Sequence, residues 1–186
     1  MTNAFHIRRA VRALRSGGVI AYPTEGVWGL GCDPFDADAV AALLQLKQRE
    51  VSKGLILAAA DIAQFEPFLQ AISDEQREQL LRSWPGPNTW VVHHDNTLPD
   101  WVTGYKSTVA LRVSAHPIVA QLCRRFGGPI VSTSANPSGR APATSALQVR
   151  RYFGAKLDYV LQGKLGGQAG PTPIRDLVSG RLLRGG

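Results

Sequence analysis

Short apolar runs alternate along this chain with longer stretches of helical periodicity. Residues 19–22, 55–58 and 129–131 are too short for helices, and each predicts a buried strand. Ile7, Val11 and Leu14 recur at the spacing of one helix face ahead of the first run. Because the connections at residues 86–87 and 163–173 permit both crossovers and antiparallel pairing, we predict an α+β (mixed α/β) fold. Helices would cover the faces of a twisted sheet of parallel and antiparallel strands.

Length and composition narrow the class of protein. The 186 residues suit a single domain, 1–186, with a core of its own. No apolar run reaches 18 residues and no apolar signal core follows Met1, so we expect a cytoplasmic protein that is neither secreted nor inserted in a membrane. Cys32 and Cys123 lie far apart and the four histidines lack metal-ligand spacing, so we expect reduced thiols and no bound metal.

Positive charge is concentrated in the second half of the chain. Residues 1–100 hold 9 Lys and Arg against 12 Asp and Glu, whereas residues 101–186 hold 12 against 2, giving net charges of −3 and +10. Sixteen of the 21 basic residues are arginine, whose planar fork suits phosphate groups. The asymmetry predicts a polyanionic partner, either a nucleic acid or a nucleotide triphosphate. The alternative is a basic surface that only aids solubility.

The first strand leads into a glycine-rich stretch, residues 22–33, which also holds a hydroxyl, a carboxylate and a tryptophan. We predict a ligand loop on the edge of the sheet, with Trp28 exposed. A glycine-rich turn without a ligand is the alternative. The order of Gly26, Gly29 and Gly31 differs from the dinucleotide-binding fingerprint, and the chain contains no P-loop motif.

Two further clusters offer groups that bind phosphates or nucleotides. Lys47, Arg49 and Lys53 place three cations at a helix end, where they could hold a triphosphate or simply form a solvated face. Residues 132–136, Ser-Thr-Ser-Ala-Asn, follow a buried strand and offer hydroxyl and backbone N–H donors at the sheet edge. For this second cluster, the alternative is a turn that bonds only its own backbone.

In combination these stretches form three ordered motifs. They are Tyr22-Pro23-Thr24-Glu25…Trp28-Gly29-Leu30, Leu46-Lys47-Gln48-Arg49…Lys53-Gly54-Leu55 and Ser132-Thr133-Ser134-Ala135-Asn136-Pro137-Ser138-Gly139. The set resembles the YrdC/TsaC family of threonylcarbamoyl-AMP synthases, in its short, single-domain bacterial form. The resemblance runs nearly end to end and includes residues 84–87, 110–113 and 184–185.

This resemblance implies an enzyme, a nucleotidyltransferase (L-threonylcarbamoyladenylate synthase), with a YrdC-like sheet around a basic concave site. It would convert L-threonine, bicarbonate and ATP into threonylcarbamoyl-AMP and diphosphate. Other proteins would then move the threonylcarbamoyl group to the adenosine beside the anticodon of tRNAs that read codons beginning with A. ATP would enter as its Mg²⁺ complex, without a prosthetic group. Since a carbamate would attack the α-phosphorus, cations and N–H donors suffice and no protein nucleophile is expected.

The resemblance also implies roles for individual residues. Lys47 and Arg49 would act electrostatically in catalysis. Arg112 would pair with the carboxylate of threonine, and Thr24 would line the threonine pocket. The ATP-binding set would be Lys47, Arg49, Lys53, Thr108, Ser132, Ser134, Asn136 and Pro142, the last through its backbone.

The chain departs from the common family pattern at four positions. Gly26, Glu50 and Ala58 stand where Thr, Pro and His are usual, and Trp28 replaces Tyr. Two other functions stay open. An RNA-binding module, such as a ribosome or tRNA assembly factor, would use the basic second half for possible weak tRNA or RNA binding. A relative acting on a sugar phosphate is disfavoured by the paired clusters at residues 47–53 and 132–136.

Overall fold

The computed structural model describes residues 4–95 and 97–185, which fold around one sheet of nine strands. The strands are β1 (Ile20–Pro23), β2 (Trp28–Gly31), β3 (Ile56–Ala59), β4 (Thr89–His93), β5 (Thr108–Val113), β6 (Ile130–Ser134), β7 (Tyr159–Val160), β8 (Ile174–Asp176) and β9 (Leu182–Arg184). Their order across the sheet is β7-β1-β2-β6-β3-β5-β4-β8-β9. Neighbours are antiparallel except for the parallel pairs β1–β7, β3–β5 and β4–β8, so the predicted mixed sheet is confirmed.

Helices connect and cover these strands. The described α-helices are α1 (Ala4–Arg15), α2 (Ala37–Lys47), α3 (Asp74–Ser83), α4 (Asp100–Thr103), α5 (Pro117–Phe126) and α6 (Ala146–Phe153), with 3₁₀ turns at Val51–Lys53, Ile62–Phe68 and Gly154–Lys156. Side-chain caps set several of the starts: Asp36 accepts a bond from the Ala39 N–H, and Ser73 forms the predicted capping box with Gln76. Over the described ranges, every helix falls short of the length and apolar character that a membrane crossing requires.

Two predictions about local structure are wrong. Residues 22–33 are a hairpin rather than a continuous loop, because β2 pairs with β1 and leaves only residues 24–27 as the turn. Trp28 is not exposed; it is packed in the core and 2% exposed. In the hairpin, Gly29 and Gly31 lie so closely against the aromatic ring of Tyr22 that a β-carbon on either would come within 3.4 Å of it. These glycines make room for a buried ring and do not loosen the chain.

The end of β6 also differs from expectation. Ser132, Thr133 and Ser134 belong to the strand itself, where Thr133 pairs with Leu30 and Ser134 with Gly29. The sequence predicts that these residues follow the strand and do not belong to it. The strand continues because β2, which the sequence did not reveal, supplies their backbone partners. Their side chains are therefore fixed by the sheet.

The two faces of the sheet are covered differently. Leu57, Leu111 and Val131 contribute to the larger apolar core, which also takes in residues of α2, α3 and α6. Residues on the opposite face, such as Ala58 and Ile130, pack under α1 and α5. Because paired residues in neighbouring strands share a face, Arg112 lies on the same face as Ala58. Helices α1 and α5 do not cover this part of the face, and the site lies there.

One connection crosses the sheet. Residues 161–173, here named the crossing strap, run from β7 at one edge to β8, seven positions away in the strand order. That separation is roughly 34 Å across a sheet, and thirteen residues reach about 45 Å when fully extended. The strap must therefore be largely extended. It bonds the turn between β1 and β2 through Gly166 N–H to Thr24 O and Gln168 N–H to Glu25 O, both at 3.0 Å.

Candidate functional site

A cavity of about 380 Å³ opens on the uncovered part of the sheet face. The sheet lines it through residues of β3, β5 and β6, including Ile56, Ala110 and Ser132. Other lining residues come from the β1–β2 turn, from the segment after α2, from the crossing strap and from β9. Segments that are far apart in sequence therefore meet around one space.

Most of the predicted site residues lie on this cavity. Seven of the ten line it: Thr24, Arg49, Lys53, Thr108, Arg112, Ser132 and Ser134. Lys47, Asn136 and Pro142 are not among the lining residues. The fold thus brings the three sequence motifs together. Some of their residues line the cavity, and others lie behind its lining.

Four cations line the cavity and form no ion pair with any residue that the structure describes. Arg49, Lys53, Lys106 and Arg184 all contribute to its lining. The ion pairs found in residues 4–95 and 97–185 involve other arginines. Burial, followed by the nearby charge of Arg184, lowers the pKa of Arg49. Several cations around one cavity are suited to an anion of several charges.

Lys47 lies below the cavity and supports its lining. Its side chain is buried, and Nζ donates to the backbone oxygens of Ser134 and Asn136, the latter at 3.0 Å. In return, Ser138 N–H donates to the Lys47 carbonyl at 2.7 Å. Burial, followed by the charge of Arg49, lowers the pKa of Lys47 to about 7. Lys47 thus joins the end of α2 to the segment that carries Ser134.

Asn136 shapes the turn after β6. Its Nδ2 donates to Pro137 O at 3.0 Å and to Arg140 O at 2.8 Å. Since both acceptors belong to the chain that leaves the strand, the amide fixes the direction of that turn. This matches the backbone-bonded turn considered as the alternative at this position. Direct contact of Asn136 or Pro142 with a nucleotide stays a prediction.

A buried ion pair forms the other end of the site. Arg112, which lines the cavity, pairs through Nη2 with Glu25 and donates from Nη1 to Thr172 Oγ1. Glu25 Oε1 also accepts from Ser114 Oγ at 2.7 Å and from Ala115 N–H at 3.1 Å. Burial alone would raise the pKa of Glu25, but Arg112 and Ser114 outweigh it and hold that pKa below its usual value. The carboxylate therefore stays ionised.

Sequence reasoning missed several of these residues. Lys106, Thr172 and Arg184 line the cavity, and Glu25 holds Arg112 from behind. Arg184 donates from Nη2 to Thr172 O at 3.3 Å, so the strap and β9 are joined at the cavity. The density of glycine in residues 163–170 was the one local signal, because a chain that must lie close to other backbone favours glycine. No local pattern links Thr172 to Arg112, sixty residues away.

The residues that differ from the family pattern differ in how close they lie to the cavity. Gly26 and Trp28 contribute to the cavity lining. Ala58 is 1% exposed, belongs to the core under α1 and α5, and is absent from the lining. Its backbone carbonyl accepts a bond from the Cys123 thiol of α5 at 3.3 Å. Ala58 therefore acts on the site only through packing.

Comparison with known proteins gives consistent matches. The Sua5/YciO/YrdC family, described as telomere recombination, matches residues 12–186. A threonylcarbamoyl-AMP synthase of Cellvibrio japonicus is 55% identical over 178 residues, which are 96% of this chain and 94% of the relative. A threonylcarbamoyl-AMP synthase of Pseudomonas putida is 52% identical over 186 residues and covers both chains completely.

Solved structures agree at the level of the fold. The crystal structure of P. abyssi Sua5 complexed with L-threonine superposes with a TM-score of 0.89 at 34% identity. The match takes in 96% of this chain but 53% of that one, so this chain spans about half the length of Sua5. E. coli YciO superposes with a TM-score of 0.78 at 24% identity, which supports the fold alone.

Proposed function

This chain belongs to the Sua5/YciO/YrdC family, and we propose that it is a threonylcarbamoyl-AMP synthase whose substrates meet in the 380 Å³ cavity. The enzyme joins L-threonine and bicarbonate to the AMP part of ATP and releases diphosphate, which makes it a nucleotidyltransferase. The observation that carries the proposal is the shared cavity. Four cations, unpaired within the described part of the chain, line it together with Arg112 and with hydroxyls of β6.

The four cations bind the phosphates of ATP. Arg49 and Arg184 offer planar forks and Lys53 and Lys106 offer point charges, a combination suited to a triphosphate. Ser132 and Ser134 add hydroxyl donors held rigidly in β6, and Thr108 adds one from β5. As the carbamate attacks the α-phosphorus and diphosphate leaves, negative charge gathers on the phosphoryl oxygens. Preorganised cations and donors stabilise that charge without a protein nucleophile.

Mg²⁺ enters as part of the ATP substrate. Residues 4–95 and 97–185 contain no group of three His, Cys, Asp or Glu that could hold a metal ion. Glu25 is committed to Arg112, Ser114 and the Ala115 N–H. Phosphate oxygens and water are the usual ligands of Mg²⁺ in such complexes, so the ion requires no protein cage.

Threonine binds at the Arg112 end. P. abyssi Sua5, which is 34% identical, was crystallised with L-threonine. In this chain Arg112 is a buried fork beside Thr24 and Thr172, so it suits a single carboxylate flanked by hydroxyls. Lys47 serves ATP indirectly, because its ammonium supports the backbone of Ser134 instead of lining the cavity.

Diphosphate release tests the proposal. The full-length protein is expected to release diphosphate from ATP only when both L-threonine and bicarbonate are present, and mass spectrometry is expected to identify threonylcarbamoyl-AMP. Each substrate is omitted in turn, and L-serine replaces L-threonine as a matched control. Release that does not depend on threonine would exclude the function.

RNA binding is a second candidate function, favoured by a groove outside the cavity. Arg8, Arg12, Arg15 and Arg125 line a depression of about 350 Å³ between α1 and α5, and all four are exposed. Arginines on one face suit the phosphates of an RNA backbone. The synthase would hand its product to tRNA-modifying proteins in the cytoplasm, where weak tRNA binding is compatible with its role.

The salt dependence of tRNA affinity tests whether RNA binds in this groove or is attracted by the overall positive charge of the protein. Replacing Arg8 and Arg12 with Gln is expected to reduce the slope of log affinity for tRNA against log salt by about 2. Arg82→Gln is the matched control, since Arg82 is exposed and pairs with Glu78 elsewhere. An unchanged slope in the double variant would exclude this groove as the RNA site.

A further inference from the structure

Glu25 is the only buried carboxylate among the residues that the structure describes. Taking a carboxylate out of water is unfavourable unless it is paired and hydrogen-bonded. Glu25 is absent from the cavity lining, and the proposed contacts with ATP and threonine do not use it. The unfavourable burial of Glu25 behind Arg112 is therefore not explained by substrate contact.

We propose that Glu25 is the positioning residue of Arg112 and that, by cancelling the guanidinium charge, it divides the cavity into a neutral end for the amino acid and a cationic end for the polyphosphate. The inference rests on the proposed function and adds to it. It assigns the selectivity between the carboxylate of threonine and the polyphosphate of ATP to a residue that touches neither substrate.

Hydrogen bonds hold the carboxylate of Glu25 in one position. Ser114 Oγ and the Ala115 N–H fix Oε1 of Glu25 at 2.7 and 3.1 Å, and the His116 N–H in turn donates to Ser114 Oγ at 3.1 Å. The other carboxylate oxygen faces Nη2 of Arg112. The carboxylate is thus held by the backbone at the start of α5 and cannot follow Arg112 if the guanidinium turns.

Arg112 is held at two of its three nitrogens. Glu25 takes Nη2 and Thr172 takes Nη1, so the plane of the guanidinium is set. Within the described part of the chain, Nε and Nη2 are both buried without a hydrogen-bond partner, so the contact of Nη2 with Glu25 is an ion pair only. A buried donor left without a partner is unfavourable. The ion pair with Glu25 is therefore the main compensation for burying this guanidinium.

Glu25 also changes the distribution of charge around the cavity. Arg49, Lys53, Lys106 and Arg184 carry uncompensated charge, whereas Arg112 and Glu25 together carry none. Without Glu25, Arg112 would become a fifth uncompensated cation in the same cavity. A phosphate group would then be attracted to both ends, because guanidinium binds phosphate as readily as carboxylate. The buried carboxylate of Glu25 prevents phosphate from binding at the Arg112 end.

Glu25→Gln tests both effects, because it keeps the size of the side chain and removes its charge. We expect the KM for threonine to rise on the order of tenfold or more, as loss of a charge-assisted contact does, while the KM for ATP changes less than twofold. Inorganic phosphate, which we expect not to compete with threonine in the wild-type enzyme, should become a competitive inhibitor of threonine in the variant.

Two more variants separate position from charge. Glu25→Asp retains the charge but withdraws it by one methylene, so the KM for threonine should rise without new inhibition by phosphate. Ser114→Ala frees the carboxylate while keeping both charges, and should behave like Glu25→Asp. Ser114→Ala also keeps the test available if Glu25→Gln does not fold. An equal loss in both KM values, with no new competition by phosphate in Glu25→Gln, would overturn the proposal.

Calorimetry distinguishes this proposal from the proposed function. Wild-type protein that binds neither threonine nor ATP would contradict the synthase function itself. Wild-type protein that binds threonine, together with a Glu25→Gln variant that binds it equally well in the presence of phosphate, would contradict only the role of Glu25.

Discussion

The carbonyl oxygen of Gly170 occupies the space in which a side chain on Gly26 would begin, since a β-carbon there would lie 1.9 Å from it. Gly170 belongs to the crossing strap, which also bonds the backbone of Thr24 and Glu25. Glycine at position 26 therefore lets the strap lie against the β1–β2 turn and close one side of the cavity. The threonine usual in the resembled family cannot stand here unless the strap moves.

Gly26→Ala is expected to displace the strap. Overpacking of this kind destabilises a protein by about 1–3 kcal/mol, and the KM for threonine should rise because Thr172 moves with the strap. Gly128→Ala is the matched control, since a β-carbon there meets nothing within 4 Å. The measurements are threonine kinetics and the rate of proteolysis within residues 163–171. Unchanged values for both would contradict the packing described.

Ser134→Ala is expected to lower the rate of diphosphate release by a factor on the order of 10²–10³, the usual effect of removing one preorganised donor. Ser134 lines the cavity, whereas Ser138, four residues further on, does not. Ser138→Ala should therefore be nearly neutral in the same assay. Turnover of Ser134→Ala within a factor of two of wild type would remove Ser134 from the ATP site.

ATP binding is expected to take up a proton through Lys47. Its pKa lies at about 7, and the arrival of phosphates near a cationic cluster favours the charged ammonium and raises that pKa. At pH 8 the uptake should appear as a buffer-dependent binding enthalpy, and it should vanish near pH 6, where the ammonium is already charged. Lys47→Met should abolish the buffer dependence at pH 8. Equal enthalpies in all buffers for the wild type would contradict the assignment.

The same residue links stability to pH without any ligand. Because the pKa of Lys47 is lowered on folding, the unfolded chain binds more protons from pH 7 upward. The free energy of unfolding should therefore rise with pH between about 7 and 10 more steeply in wild type than in Lys47→Met. Urea unfolding at several pH values measures this, and parallel curves for the two proteins would contradict it.

Leu57→Ala is expected to lower the free energy of unfolding by about 2–5 kcal/mol. Leu57 is fully buried in β3, between β5 and β6, in the larger core. Leu147→Ala is the control, because Leu147 is 60% exposed on α6 and its loss should change stability by about 0.5 kcal/mol or less. Similar midpoints in urea for the two variants would show that the core is not where the structure has it.

The sequence was informative where chemistry and spacing were local. Arg49 and Lys53 stand four residues apart beside a strand, and both line the cavity. Apolar spacing likewise located α1, and the cap residues located α2 and α3. The hairpin at residues 20–31 escaped prediction because its glycines serve the Tyr22 ring, a contact that composition does not reveal.

Long-range pairings were beyond the reach of sequence patterns. The short strand β8 is defined by its neighbours β4 and β9, and no apolar alternation marks it. Glu25 was quoted within a motif, yet its role depends on Arg112 and Ser114, which are nearly ninety residues away. Lys47 belonged to the predicted cluster, but its burial beneath Ser134 follows from how α2 meets β6. The burial of a side chain depends on how distant elements pack, which the spacing of residues along the sequence does not show.

The crossing strap also orders events during translation. A ribosome that has made residues 1–160 has produced every described strand except β8 and β9, together with most of both cores. That nascent chain still lacks Thr172, which holds Arg112, and Arg184, which adds a cation to the cavity. The chain therefore gains its binding site only when residues 161–184 have emerged and spanned the sheet. Until then the proposed site for ATP and threonine is incomplete.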